Sequence, residues 1–215
     1  AKIPSAILPD ISKVGIAWEG SFLDYGSLSH INRELTSRLS GNLNLTRVGA
    51  NALLKNAKTD PAMRRCAQTL AARSPANTAV TVRHQWPPNW SRPESGSLVV
   101  IQPWEYGALP KAWVANEKNV DEFWVPSPTV RAMYLDSGIA PGKVRVVPNG
   151  VDTKKFRPGV RPLALPTKKK FKFLFFGGTI FRKGPDILLD AFQQAFTAAD
   201  DACLVIKDFG GDSFY

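Results

Sequence analysis

The stretch from Phe171 to Phe192 restricts the possible folds of this chain more than any other: an apolar run, FKFLFF, passes directly into two glycines, a basic pair and an amphipathic segment. The run Phe171 to Phe176 has the unbroken apolar character of a parallel strand covered on both faces, which predicts that it is central and buried. Gly177 and Gly178 permit a sharp turn. Ile187, Leu188, Ala191, Phe192, Ala195 and Phe196 then recur at helical spacing, so the stretch reads as strand, turn and a helix continuing to about Ala199. N–H groups at the start of such a helix are unpaired and attract anions, and Arg182 and Lys183 place two cations beside them. A diphosphate would satisfy all of these groups. The alternative is a plain chain turn with two solvated cations. The stretch is neither GxGxxG nor GxxxxGK(S/T), which excludes a Rossmann dinucleotide fingerprint and a P-loop.

The same alternation runs through the rest of the chain. Strand-like apolar runs occur at Val14 to Trp18, Leu43 to Val48, Ala79 to Arg83, Leu98 to Gln102, Glu122 to Pro126 and Val144 to Val147. Helical patterns lie between them at Ser27 to Leu39, Ala62 to Ala72, Lys111 to Asn119 and Ser127 to Asp136, the last opening with Ser-Pro and closing at Gly138. This order implies an α/β fold with a Rossmann-like, mostly parallel sheet. Pro158, Pro162 and Pro166 with scattered Lys and Arg mark a linker, and the basic run Lys168 to Lys170 within it reads as solvated. The expected organisation is a first domain over residues 1–155, a linker over 156–170, and a second α/β unit over 171–215. That unit ends soon after a strand at Cys203 to Lys207, too short for an independent core, and so reads as cut short.

Bulk properties narrow the function classes. A chain of 215 residues, 44% hydrophobic, can bury a sizeable core. No apolar run is long enough to span a membrane, and Ala1 to Pro9 has no signal-peptide pattern. Cys66 and Cys203 stand far apart with no metal-ligand spacing, so a reducing cytoplasm is the expected compartment and no metal or other cofactor is expected. The net charge of +10 favours anionic partners without choosing among nucleic acid, acidic lipid and phosphorylated small molecules. Neither zinc-finger spacing nor an RNP-like aromatic signature is present, so no nucleic-acid partner is expected.

Three segments point the same way: WEGSFLDYGSLSHINREL, DEFWVPSPTVRAMYLDSGIAPGKVRVVPNGVDTKKFRPG and FLFFGGTIFRKGPDILLDAF. Together they resemble family-four (group 1) glycosyltransferases of the GT-B fold across essentially the whole chain. The resemblance implies that the first domain binds the acceptor, that the PNGVD stretch closes it, and that the RKG stretch opens a donor-binding domain. The family's acidic E-x7-E segment would follow later, and the sequence ends at Tyr215 without it. Lys183 matches the lysine of the family's KG element, whose implied role is to neutralise the departing diphosphate. Gly178, Thr179 and Arg182 complete the implied diphosphate site. Thr179 stands where the family usually has arginine, and Arg182 offers a charge from elsewhere in the loop.

In the acceptor domain the family's glycine-containing loop corresponds to Glu19, Gly20, Asp24, Tyr25, Gly26 and Ser27. The glycines would let the backbone approach a ligand, and Asp24, Tyr25 and Ser27 would hydrogen-bond sugar hydroxyls or phosphate. An ordinary βα turn is the alternative. His84 ends a strand at the expected cleft edge and is a candidate catalytic residue, with a purely structural histidine as the alternative; His30 reads as a helix residue only. Where many family members have a second strand-ending histidine, this chain has Trp104, Glu105 and Tyr106. Trp104 offers an aromatic face to a sugar, and Glu105 is the second catalytic candidate, unless it is a salt-bridged loop residue. Asn149, Gly150 and Asp152 are expected to turn the chain into the linker.

The expected function is transfer of a sugar from a nucleotide-diphosphate sugar, the co-substrate, to an acceptor hydroxyl, with retention as the resemblance implies. The chain as given is expected to be inactive alone. A non-catalytic glycan- or anion-binding module and a GT-B nucleotide-sugar epimerase are the alternatives. The acceptor would be a glycan, a lipid-linked sugar or another hydroxyl compound. Six tryptophans and a basic surface are compatible with peripheral association at the inner membrane face, and open strand edges with self-association.

Overall fold

The computed structural model describes residues 10–49 and 60–208; Ala1 to Pro9 and Tyr215, which bear on the expectations above, lie outside them. The chain divides into two compact units, Ala1–Val151 and Asp152–Tyr215.

The first unit is a seven-stranded, fully parallel sheet: β1 (Ile16–Gly20), β2 (Leu45–Val48), β3 (Leu70–Ala71), β4 (Val80–His84), β5 (Ser97–Ile101), β6 (Glu122–Val125) and β7 (Val144–Val146). The spatial order is β3-β2-β1-β4-β5-β6-β7. It is the α/β, Rossmann-like arrangement expected for a GT-B domain. Helices α1 (Ser27–Leu39), α2 (Pro61–Gln68), α3 (Lys111–Val114) and α4 (Pro128–Asp136) connect the strands. Strand alternation separates two cores. Val99 joins Trp18, Phe22, Leu23, Cys66 and Val82 on one face, whereas its neighbours Leu98 and Val100 join Phe123, Val125, Tyr134 and Val144 on the other.

Capping chemistry sets the helix boundaries. Asp60 accepts from the N–H groups of Ala62 and Met63, and Pro61 occupies the first helical position of α2. Ser127 caps α4 in the same way, and Gly138, at φ +100°, ends it with its N–H on the Leu135 carbonyl. Two expected helices are shorter than their patterns. The Ala62 to Ala72 pattern contains β3 at its end, and the Lys111 to Asn119 pattern breaks after Val114 into a separate 3-10 turn at Glu117–Asn119.

The second unit contains β8 (Phe171–Phe176) and β9 (Ala202–Lys207), paired in parallel, and α5 (Pro185–Ala195). Its strand β8 corrects the expectation of a central, buried strand. Phe173 lies against Phe192 of α5 and Phe196 just after it, at ring-centroid distances of 5.8 and 5.3 Å, so one face is covered. On the other face Leu174 is 67% and Phe176 76% exposed, because among the described residues β8 has a strand on one side only and no layer over that face. The run Lys168 to Lys170 is likewise not simply solvated: the Lys169 ammonium donates to the carbonyls of Ala198 and Asp200, fastening the start of β8 to the turn before β9.

Candidate functional site

The sheet order reverses direction at β1, whose neighbours are β2 and β4. Crossovers leave such a pair on opposite sides, and the carboxyl ends of the two strands frame a crevice. A cleft of about 460 Å³ opens there, lined by Glu19, Gly20, Asp24, Val48, Gln85 and Trp86 among others. This volume lies within the usual range for small-molecule sites.

Of the residues expected in the first loop, Glu19 and Gly20 belong to β1 itself, Asp24, Tyr25 and Gly26 form the turn, and Ser27 opens α1. Asp24 is engaged internally: one carboxylate oxygen accepts from the Gly26 N–H at 2.6 Å and the other from the Ser29 hydroxyl at 2.5 Å, which fixes the turn that leads into α1. Glu19 accepts from Arg83 Nε at 2.6 Å and from the Ser74 hydroxyl at 3.1 Å. The Arg83 guanidinium, almost fully buried, also donates to the carbonyls of Asn89 and Ser91 and so fixes the loop after β4. The glycines differ from expectation as well. A Cβ on Gly20 would stand 2.3 Å from the His84 carbonyl oxygen, and one on Gly26 2.7 Å from Asp24 Oδ1, so protein atoms rather than a ligand occupy the space their missing side chains leave.

His84 sits directly across from Gly20 in the β1–β4 register and is buried. Its environment is set by Asn32, a fully buried residue in the middle of α1. The indole Nε1–H of Trp18 is a donor only, so the Asn32 atom 2.9 Å from it is the amide oxygen. The Asn32 nitrogen then donates to the carbonyls of Ser21 and His84, at 2.9 and 3.0 Å. The same amide oxygen lies 2.8 Å from His84 Nδ1, which must therefore carry a proton. Neutral His84 is thus held as the Nδ1–H tautomer, leaving Nε2 as the acceptor.

Burial pushes the His84 pKa down from 6.5 to about 4. The unfolded chain binds the proton more readily than the folded one between these values, so stability rises with pH across pH 4 to 6.5 and is lost as pH falls through that window. At about 1.4 kcal/mol per pH unit the contribution is about 3 kcal/mol. Denaturant unfolding at pH 7 and pH 4 is expected to show the wild-type chain losing about this much more stability than His84→Gln; equal losses in both would refute it.

The loops after β4 and β5 meet in a chain of aromatic rings. Trp104 lies 4.5 Å from Trp113 and 5.0 Å from Tyr106, and its Nε1 donates to the Ala108 carbonyl. Glu105 is exposed between them, outside the cleft lining. Gln85, Trp86, Asn32 and Arg83 were not singled out from the sequence. The tryptophan of HQWPP signals one of these positions, whereas Asn32 looks like an ordinary polar helix residue.

The glycine turn of the second unit places the remaining candidates. Gly177, at φ +149°, leaves β8, and its N–H donates to the Lys207 carbonyl. Gly178 is buried, and Thr179 donates to the Asp208 carboxylate at 2.8 Å. Arg182 and Lys183 fall in a 3-10 turn that Gly184 closes at φ +59° before Pro185 starts α5. Lys183 folds back over the turn, since a Cβ on Gly177 would stand 2.7 Å from its Nζ. The Lys183 ammonium, exposed and without a carboxylate partner among the described residues, is thereby held beside the backbone at the carboxyl end of β8.

No helix among the described residues is long and apolar enough to cross a membrane. No curated protein matches the chain. Residues 61–155 match the family model of Glycosyltransferase Family 4, a stretch that runs from α2 through β7 and includes His84, Trp86, Trp104 and Glu105 but neither the turn after β1 nor Lys183. Over residues 61–155, within a fully parallel α/β sheet, the first unit is thus similar to the glycosyltransferase family 4 domain.

Proposed function

We propose that this chain belongs to an enzyme that transfers a sugar from a nucleotide-diphosphate sugar to an acceptor hydroxyl with retention. The observation that carries this reading is the cleft at the β1–β4 reversal, lined by Glu19, Asp24, Gln85 and Trp86, in a chain whose residues 61–155 match the family 4 model. In this reading the cleft takes the acceptor. His84, buried and outside the cleft lining, acts as a positioning residue that ties α1 to the end of β4 through Asn32, and Glu105 orients a hydroxyl from the loop after β5. The Lys183 ammonium, with Arg182 and the N–H groups of the Gly178–Thr179 turn, stabilises the charge that develops on the departing diphosphate.

The test is transfer from UDP-, GDP- and ADP-sugars by the full gene product, with the donor's fate followed by NMR. Lys183→Ala is expected to slow donor consumption about 10²-fold while leaving the fold intact, because removing a charge aimed at the leaving group acts on the transition state. Equal rates in the variant and the wild type would overturn the assignment of Lys183. An epimerised donor in place of a glycosylated product would overturn transfer.

A further inference from the structure

Resting on the transferase reading, we infer that Trp86, at the mouth of the β1–β4 cleft, is the near end of an aromatic shelf on which a pyranose ring of the acceptor stacks, with Tyr106 at the far end of the same ring cluster. Both rings are largely open, Trp86 at 59% and Tyr106 at 60% exposure, although large aromatic side chains normally gain most by burial. They are also held firmly from beneath. Trp86 meets Trp113 edge-on at a centroid distance of 6.0 Å, Trp90 supports Trp113 from another side at 5.5 Å, and Tyr106 rests on Trp104, which rests on Trp113. Two exposed rings are thus supported by a half-buried layer of three indoles, so ordering them on ligand binding costs little further entropy.

Position and charge identify the occupant. Trp86 lines the cleft itself, next to Gln85, so the shelf is continuous with the crevice at the strand ends. A pyranose presents a face of C–H groups carrying slight positive charge, which suits the electron-rich face of indole or phenol, while its equatorial hydroxyls project sideways to polar groups. Such groups are at hand: Gln85, Glu19 and Asp24 line the cleft, and Glu105 lies between the two ring-bearing positions of the β5 loop. The carboxylates of Asp24 in the cleft and Glu105 in the β5 loop disfavour an anionic lipid surface, the other common partner of exposed tryptophans. A neutral sugar meets no such repulsion.

The experiment is binding of the chain to an immobilised panel of oligosaccharides, with Trp86→Ala, Trp86→Phe and Tyr106→Ala alongside the wild type, and with vesicles of phosphatidylcholine and phosphatidylglycerol as a second probe. At least one pyranoside is expected to bind, with affinity falling about tenfold in Trp86→Ala and largely kept in Trp86→Phe, where an aromatic face remains. Failure of every glycan to bind, or binding unmoved by Trp86→Ala, would overturn the shelf. A Trp86-dependent attachment to vesicles with glycan binding unchanged would overturn it in favour of a membrane contact. Transfer assays on the full gene product separate this inference from the reading it rests on. Absence of transfer with Trp86-dependent glycan binding removes the transferase and keeps the shelf. Transfer whose acceptor KM is unchanged in Trp86→Ala removes the shelf and keeps the transferase.

Discussion

Replacing Asn32 by alanine is expected to destabilise the first unit by about 4 kcal/mol or more, which is exceptional for one polar side chain. The side chain is fully buried and satisfies four groups at once: the Trp18 indole N–H, the protonated nitrogen of His84, and the carbonyls of Ser21 and His84. Removing it strands two buried donors and two acceptors, each costing about 1–3 kcal/mol, and leaves a cavity beneath α1. Asn32→Asp separates packing from polarity. A carboxylate still accepts from Trp18 and His84, but it repels the two carbonyls and stabilises the imidazolium, so the His84 pKa rises while the shape is kept. Urea unfolding and the imidazole chemical shifts against pH measure the two effects. Wild-type stability in Asn32→Ala would show that the network is not what holds α1 to the sheet.

The same residue shows where the sequence was opaque. The strand and helix order of the first unit follows from apolar runs separated by capped helical patterns, and the parallel sheet follows from that alternation. The face that α1 buries does not follow in the same way. Hydrophobic spacing points to Leu28, Ile31, Leu35 and Leu39, which are half-buried, whereas the fully buried residues of α1 are Ser29, Asn32 and Thr36. These polar residues are used up by specific partners: Ser29 by Asp24, Asn32 by its four contacts, Thr36 by Arg47 and the Asn32 carbonyl. Periodicity registers apolarity and cannot register a partner that arrives from residues distant in sequence, such as His84. The short β3 was invisible for a related reason. Leu70 and Ala71 continue the helical pattern of α2, and only their pairing with Arg47 and Val48 makes them strand.

The candidate site was legible as types of residue more than as roles. His84 and the loop after β1 meet at the carboxyl ends of β1 and β4, but the His84 side chain is buried against Asn32 and does not line the cleft. Asp24 and Glu19 are chemically suited to bind a hydroxyl, yet much of their hydrogen-bonding capacity serves the fold, through the turn before α1 and the Arg83 pair. Strand β8 shows the converse. Its composition states correctly that it is a strand, but burial depends on layers that lie outside the stretch itself, and Leu174 and Phe176 remain exposed.

Gly20→Ala is expected to be the second severe substitution, costing about 4 kcal/mol or more, although Gly20 has no positive φ and any residue tolerates its backbone shape. The obstacle is distance. The added carbon would lie 2.3 Å from the His84 carbonyl oxygen and 2.6 Å from Asn32 Nδ2, and neither can yield. The carbonyl belongs to the neighbouring strand, and the amide is fixed by its own hydrogen bonds. Relief requires β1 and β4 to part at their carboxyl ends, or α1 to lift, and either movement breaks the Asn32 network and widens the cleft. Gly107→Ala is the control, since nothing lies within 4 Å of its added carbon; its effect is expected within about 0.5 kcal/mol. If Gly20→Ala unfolds at the wild-type denaturant midpoint, the close approach of strand and helix is not required. If it is strongly destabilised while Gly107→Ala is not, then the narrowness of the β1–β4 crevice, the burial of His84 and the seating of α1 all depend on one missing side chain.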